Sequence, residues 1–387
     1  MIPELRRRFL RDWTPESYAA VKQTLNQRSR VHLPFRVAET PCFLSKSLTN
    51  TLIQAAKVLL LQLQSPTYRE LSSHCIPPAF RVPNEPEKPL FVQVDFGLVR
   101  DAEGRTEPKL VEIQGFPSLY CFQSVLTQTF CEQYALEHAA PPNARALLGE
   151  AILGRHAPEN VVLLEIDPDN QKTLCDFNIT EDWFAVRAVC ITKVRKRANK
   201  LYYLLDGVEV PIHRIYNRAI ADEQLRRRVQ PAFAWTDDLD VEWAGHPNYY
   251  FRISKYALPF LQHPTVPLTR FLNAFTEWPP DLDDWVLKPL YSFAGLGVAV
   301  GPTRDQLDAI PVAERSQWIL QRRCRFEPLI ETPAGPTQAE IRVMFIWIDQ
   351  PVAVATLIRL GRGKMMGVDH NKGLDWVGAS AGLWSPA

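Results

Sequence analysis

The sequence predicts a mixed α/β and α+β fold built from more than one unit. Three observations carry that reading. Strand-like runs alternate with helical stretches between about 150 and 250; from 251 onward strands follow one another with little helix between them; and the N-terminal part sets helices beside a single β-hairpin. A length of 387 residues agrees, because a chain this long exceeds one ordinary domain and usually divides.

Taken in order, residues 14–30 and 47–64 read as helices. In the second, TNTLIQAAKVLLLQLQ places apolar residues at i, i+3, i+4 and i+7, one face of a helix. Residues 65–89 are proline-rich and loop-like. FVQVDFGLV (91–99) and KLVEIQG (109–115) are two strands flanking the turn-rich DAEGRTEP, and 119–137 is helical. PPNA (141–144) marks a boundary. After it, NVVLLEI (160–166) has the continuous apolar run of a buried strand, and WFAVRAVCI (183–191) carries another. KVRKRANK followed by LYYLLDG reads as a hairpin with a basic, solvated turn, and VPIHRIYNRAI (210–220) as a further strand. Beyond 251, ISKYALPFLQ is helical and DDWVLKPLYSFAGLGVAVG is a strand, a glycine-bearing loop and a strand. WILQRRC, EIRVMFIWI and PVAVATLIRL add three more strands, so 251–387 reads as an α+β unit on an antiparallel sheet.

Composition excludes several classes. Hydrophobic residues at 46% and charged residues at 22% are globular values, not those of a disordered chain. Lys and Arg total 44 against 43 Asp and Glu, so a large electrostatic footprint for nucleic acid is not expected. The seven cysteines are scattered, odd in number and lack a Cys-x-x-Cys pair, which suits reduced thiols in a cytoplasmic protein rather than a disulfide framework or zinc site. No apolar segment follows the N-terminal arginines as a signal peptide would require. The longest apolar stretches, such as VMFIWI, are far short of the ~20 residues of a membrane span, so no membrane partner is expected.

Three groups of residues carry candidate chemistry. A hairpin centred on Glu103-Gly104 sets Asp95 opposite Glu112, with Gln114 on the same face. Opposed Cβ atoms lie ~4.5–5.5 Å apart, and two carboxylates so close repel unless a cation separates them. With the amide oxygen they suit a hard cation such as Mg²⁺; the same residues also describe an exposed polar hairpin face. Lys288 ends the apolar run WVL and precedes a loop with Gly295 and Gly297, an arrangement that can hold phosphate oxygens or simply turn a hairpin. Arg342, Arg359, Arg362 and Asn371 punctuate the last strands and loop, where arginines facing a cleft suit carboxylate and phosphate recognition. P-loop, GxGxxG, HExxH and GxSxG motifs are absent.

In this order the segments resemble an ATP-grasp domain over 254–382: SKYALPFL, HPTVPLTRFL, DWVLKPLYSFAGLGVAV, WILQRR, EIRVMFIW and VAVATLIRLGRGKMMGVDHNKG. The closing metal-binding segment of that family resembles VDFGLVRDAEGRTEPKLVEIQGFPSLY, near the other end of the chain. The order is therefore similar to the circularly permuted one of eukaryotic-type glutathione synthetase and glutathionylspermidine synthase, and IYNRAI resembles the tyrosine–arginine strand of the former's substrate domain. The resemblance implies an ATP-grasp fold, with antiparallel sheets around the nucleotide and a smaller α/β substrate domain. Its divisions are 1–150, helices plus metal-binding hairpin; 151–250, the substrate domain; and 251–387, the lid and nucleotide-binding core.

It assigns Lys255 and Lys288 to ATP phosphates, with Gly295 and Gly297 in a loop over 290–297 that closes as a lid. Gln321 and Arg322 fall at the adenine hinge, and Asp95, Glu112 and Gln114 on Mg²⁺. Arg218, Arg342, Arg359 and Asn371 become candidate catalytic groups, with Ser118 and Arg218 at the substrate. The implied activity is an ATP- and Mg²⁺-dependent carboxylate–amine ligase that acts through an acyl phosphate on a small amino-acid- or peptide-like acid. A phosphotransferase and a non-catalytic nucleotide-binding protein are the rivals. Three positions depart from the family: Gln114 stands for an asparagine, Ser292 for an acidic residue and Gln93 for a substrate-binding arginine.

Overall fold

The strands Phe91–Arg100 and Thr106–Gln114 form an antiparallel hairpin. Asp101 closes its turn: one carboxylate oxygen accepts from the backbone N–H of Glu103 and of Arg105, the short-range bonding that makes aspartate a turn residue. Pairing runs from Arg100–Thr106 to Phe96–Leu110 and then slips by one residue, so that Asp95 faces Glu112 and Gln93 faces Gln114. The extra residue is Val111. Such a bulge leaves backbone groups outside the ladder, and here the Val111 carbonyl accepts from Lys288 Nζ at 3.0 Å. The computed structural model containing this hairpin describes residues 1–292, 295–363, 366, 371 and 373–385.

The hairpin is one edge of a six-stranded sheet. Beside it lie Gln338–Trp347, Pro351–Gly361, Gly378–Trp384 and Cys42–Leu44, in that order. Every pairing is antiparallel except the last, which is parallel. Period-2 alternation gives the sheet two unlike faces. Val92, Val94 and Phe96 pack with Ile341, Val343 and Phe345 against Leu52, Ala56, Leu59 and Leu60 of the Lys46–Leu63 helix. That helix begins where Ser45 accepts the Leu48 N–H. On the opposite face, Phe91, Met344 and Ile346 pack on the Tyr120–Tyr134 helix. Further along that face stand Asp95, Glu112, Glu340, Arg342 and Arg359.

A second sheet is all parallel, in the order Glu242–Ala244, Arg214–Asn217, Val161–Glu165, Arg187–Cys190. Its central Val161–Glu165 strand is fully buried, as the apolar run predicts. A third, antiparallel sheet runs Thr269–Phe271, Trp318–Arg322, Trp285–Pro289, Ala299–Val300. Arg195–Arg197, Lys200–Leu205 and Val208–Ile212 make a small antiparallel sheet.

Several sequence expectations are corrected. The strands of 251–387 do not share a single antiparallel sheet: the first form the third sheet, and the last three join the hairpin in the first. VPIHRIYNRAI is two strands, Val208–Ile212 and Arg214–Asn217, in different sheets. Trp183 and Phe184 close a helix, Leu174–Phe184, so the following strand starts only at Arg187. A second helix, Ala144–Leu153, follows the PPNA boundary. Residues 253–262 hold a 3₁₀ turn, Lys255–Phe260, because Pro259 inside it cannot donate a helical hydrogen bond. Among the described residues no helix is long and apolar enough to cross a membrane.

Gly115 fixes the end of the hairpin. Its N–H donates to the Ile253 carbonyl at 2.7 Å. A Cβ there would lie 2.7 Å from the Tyr249 carbonyl oxygen and 2.8 Å from Ile253 Cβ. We predict that Gly115→Ala lowers the stability by about 1–3 kcal/mol, the cost of overpacking where backbone must move. Denaturant titration with an unchanged m-value measures it, and an unchanged midpoint would refute the close approach.

Candidate functional site

The three larger sheets meet at a cleft of about 1270 Å³. The six-stranded sheet supplies its floor through Glu112, Gln114, Glu340, Arg342 and Arg359. The antiparallel sheet and its loop supply Lys288, Gly295, Gly297, Gln321 and Arg322. Lys255 enters from the 3₁₀ turn, and Ser118, Glu165 and Arg218 line the far end beside the parallel sheet.

Register builds the floor. Leu357, Arg342, Asp95 and Glu112 lie in one row across four strands, and Glu340 pairs with Arg359 one step along. Asp95 is completely buried beneath Arg342, whose Nε and Nη2 reach its two oxygens at 2.6 and 2.5 Å, a bidentate pair. Arg342 Nη1 donates to Gln93 Oε1 at 3.0 Å, and Gln93 Nε2 donates to the Ser118 carbonyl at 2.7 Å. Arg359 Nη1 bonds Asp95 at 3.1 Å and also Glu340. Gly97 makes room beside this floor for the Phe326 ring, which occupies the space a Cβ would need.

Glu112 faces the cleft. Burial alone would raise its carboxyl; Lys255 first, then Arg342, Arg359 and Lys288, outweigh burial and hold it at about 2. Lys255 Nζ lies 3.6 Å from Glu112 and donates to the Ser292 carbonyl at 2.7 Å. Lys288 is buried, which lowers its ammonium pKa, and it donates to Gln321 Oε1 at 2.5 Å. Gln321 Nε2 is buried with no hydrogen-bond partner among the described residues, in a cleft that Val286, Val298 and Val300 also line. An apolar slot, an unsatisfied amide donor and two lysines fit the base and phosphates of a nucleotide.

At the far end, the backbone N–H of Arg218 continues the parallel ladder to the Leu164 carbonyl at 2.9 Å. Its guanidinium bonds Asp176 at 3.0 Å and lies over the Phe116 and Phe177 rings. Asp176 in turn accepts the N–H groups of Leu119 and Phe122 at the start of the Tyr120–Tyr134 helix. Arg218 Nη2 reaches Ser118 and Thr173 hydroxyls at 3.5 and 3.3 Å, while its buried Nε has no partner among the described residues. Glu165 sits at the carboxyl end of its strand, where ligands of open parallel sheets collect. It is 3% exposed, and burial pushes its carboxyl up to about 8 although Arg218 opposes the shift.

Two expected residues lie outside the cleft wall. Asp95 is under the floor, and Asn371 accepts the Arg362 N–H at 3.0 Å in the turn after Gly361. Arg322 lines the cleft but pairs with Asp281 at 2.5 Å. Phe293 and Ala294 of the expected lid, and 364–365, 367–370 and 372 of the last loop, lie outside the described residues. Sequence reasoning missed Glu340 and Glu165. Glu340 was findable, since it lies two residues before Arg342 and so on the same face.

Asp95, Glu112 and Gln114 do not fit a divalent cation as they stand. Mg²⁺ demands near-octahedral oxygen ligands, usually one or two carboxylates with waters and phosphates. Both Asp95 oxygens are turned onto Arg342; Glu112 accepts the Gln114 amide on one oxygen and faces Lys255 with the other; Glu340 accepts from Arg359. Among the described residues no group of three or more His, Cys, Asp or Glu is arranged to hold a metal.

The chain is similar in structure to a glutathione synthetase-like effector from Globodera pallida in its apo form, with a TM-score of 0.59 over 95% of this chain and 96% of that one. Identity is 12%, so the likeness is one of fold. No protein-family model and no curated protein match the sequence.

Two predictions follow from the buried charges. Arg342→Met strips Asp95 of its bidentate partner, leaving it the single 3.1 Å contact with Arg359, and should cost about 3 kcal/mol in denaturant titration, whereas adding Asp95→Asn should recover most of the loss. Equal losses for single and double variants would refute the pair. For Glu165, the folded carboxyl near 8 binds a proton that the unfolded chain, near 4.5, releases. Stability therefore falls as pH rises through that window, by roughly a few kcal/mol at most. Glu165→Gln should flatten this fall between pH 5 and pH 8, and parallel wild-type and variant profiles would refute it.

Proposed function

We propose that the protein is an ATP-binding enzyme of ATP-grasp type, in circularly permuted order, that joins a small carboxylic acid to an amine. The observation that carries this reading is the convergence on one cleft of Lys255, Lys288 and Gln321 with Arg342, Arg359 and Arg218. The permuted order is supported by the pairing of the 91–114 hairpin with Gln338–Trp347. The substrate unit at 151–250 is supported by the parallel sheet that ends at Arg218 and Glu165.

In this reading ATP supplies the activating phosphoryl group. Gln321 and the valine walls hold the base; Lys255 and Lys288 hold phosphate oxygens. Arg218, fixed by Asp176, supplies the positive charge that draws the acid's carboxylate to this end of the cleft. A carboxylate oxygen attacks the γ-phosphorus and ADP leaves. The amine then attacks the acyl carbon and phosphate leaves. Arg342 and Arg359, held rigid by Asp95 and Glu340, stabilise charge on the transferring group without reorganising. Catalysis rests on positioning and fixed charge, with no protein nucleophile.

A second reading, nucleotide binding without turnover, is favoured by one observation. Ser292 stands at the position of an acidic residue in the family that the sequence resembles, and its hydroxyl has no partner among the described residues.

The test combines binding with product analysis. Saturating ATP at about 100 times its Kd should stabilise the wild type by about 2.7 kcal/mol, and Lys288→Met should remove most of that gain. Phosphate release should require an amino-acid-like acid and an amine together. Release with the acid alone identifies a phosphotransferase, binding without release supports the second reading, and no stabilisation overturns both.

A further inference from the structure

We infer that the cleft takes its polyphosphate ligand as the free anion, with Lys255, Lys288, Arg342 and Arg359 supplying the countercharge that a divalent cation would otherwise bring. The inference rests on the nucleotide-binding reading above and says in which chemical form the ligand enters.

The argument is one of charge and donor commitment. Four cationic side chains face three carboxylates, Asp95, Glu112 and Glu340, across the floor. Asp95 and Arg342 neutralise each other, as do Glu340 and Arg359. Glu112 is shared between Lys255 at 3.6 Å and Arg342 at 3.5 Å. Lys288 is left with two neutral acceptors, the Val111 carbonyl and the Gln321 amide oxygen. The floor is thus net positive and buried, and a buried unpaired ammonium is satisfied by an anion.

A divalent cation entering here would add charge of the same sign. It would also have to displace Lys255 from Glu112, or Arg342 from Asp95, to obtain a carboxylate. A free polyphosphate needs neither exchange. Its oxygens can meet Lys255, Lys288 and Arg359 directly, and Lys288 gains the anionic partner it lacks.

Glu112 gives the inference a signed test. As a metal ligand it would help hold the complex, so its neutralisation would weaken binding. In a metal-free phosphate site it repels the ligand and competes with it for Lys255, so neutralisation strengthens binding. Isothermal titration of ATP into the full chain, in EDTA and again in excess Mg²⁺, reads both arms. The expected wild-type Kd in EDTA is equal to that in Mg²⁺ or lower, and Glu112→Gln should tighten ATP in EDTA by roughly fivefold, the effect of one like charge at ~4 Å in water. Inorganic tripolyphosphate should compete in EDTA. Binding confined to Mg²⁺, or lost in Glu112→Gln while the protein stays folded by circular dichroism, would overturn the inference and leave the nucleotide reading intact. No ATP binding in either buffer would overturn the nucleotide reading itself, and this inference with it.

Discussion

Everything in the cleft depends on the buried pair between Asp95 and Arg342. Asp95 is wholly excluded from water, and an ion so placed costs several kcal/mol unless it is matched in charge and geometry. The bidentate guanidinium supplies both. The pair in turn dictates the register of two strands far apart in the chain, because slipping either by one residue would carry its charge into the apolar face packed on the Lys46–Leu63 helix. The third nitrogen of Arg342 reaches Gln93, which holds the Ser118 carbonyl beside Arg218. One ion pair thus ties the sheet, the floor and the far end of the cleft together.

The bulge at Val111 is the second constraint, and it explains how much of this site was legible. A turn centred on Glu103-Gly104 predicts Asp95 opposite Glu112. The actual turn pairs Arg100 with Thr106, a centre one half-step earlier, and the extra residue at Val111 restores the expected pairing where it matters. The pairing was right although the path to it was not. A bulge has no strong sequence signal, since it is fixed by what the freed carbonyl meets, here Lys288 from another sheet.

Other features were legible or hidden for equally local reasons. The alternation VDFGLV and EIRVMFIW separates charged from apolar faces, and both strands are present. The Ala144–Leu153 and Leu174–Phe184 helices were hidden because both are short and carry no continuous apolar stripe a single sequence window can isolate. The division of VPIHRIYNRAI between two sheets follows from long-range pairing: Arg214 bonds the carbonyls of Ala151 and Ile152 and, as an ion pair, Glu242, none of which a local reading sees.

The same long-range pairing accounts for the departures from the family pattern. Gln93 stands where the resemblance expects an arginine, yet its side chain reaches Arg342 diagonally across the strand pair, so a second guanidinium there would meet the first. An amide suits the place, since it accepts from Arg342 on one side and donates to Ser118 on the other. Gln114 likewise gives its amide hydrogen to Glu112. At both positions a neutral amide hydrogen-bonds to a charged side chain already in the floor. Together the two amides hold Glu112 and Arg342 in place, so the charged groups of the floor are oriented by neutral neighbours on the same hairpin.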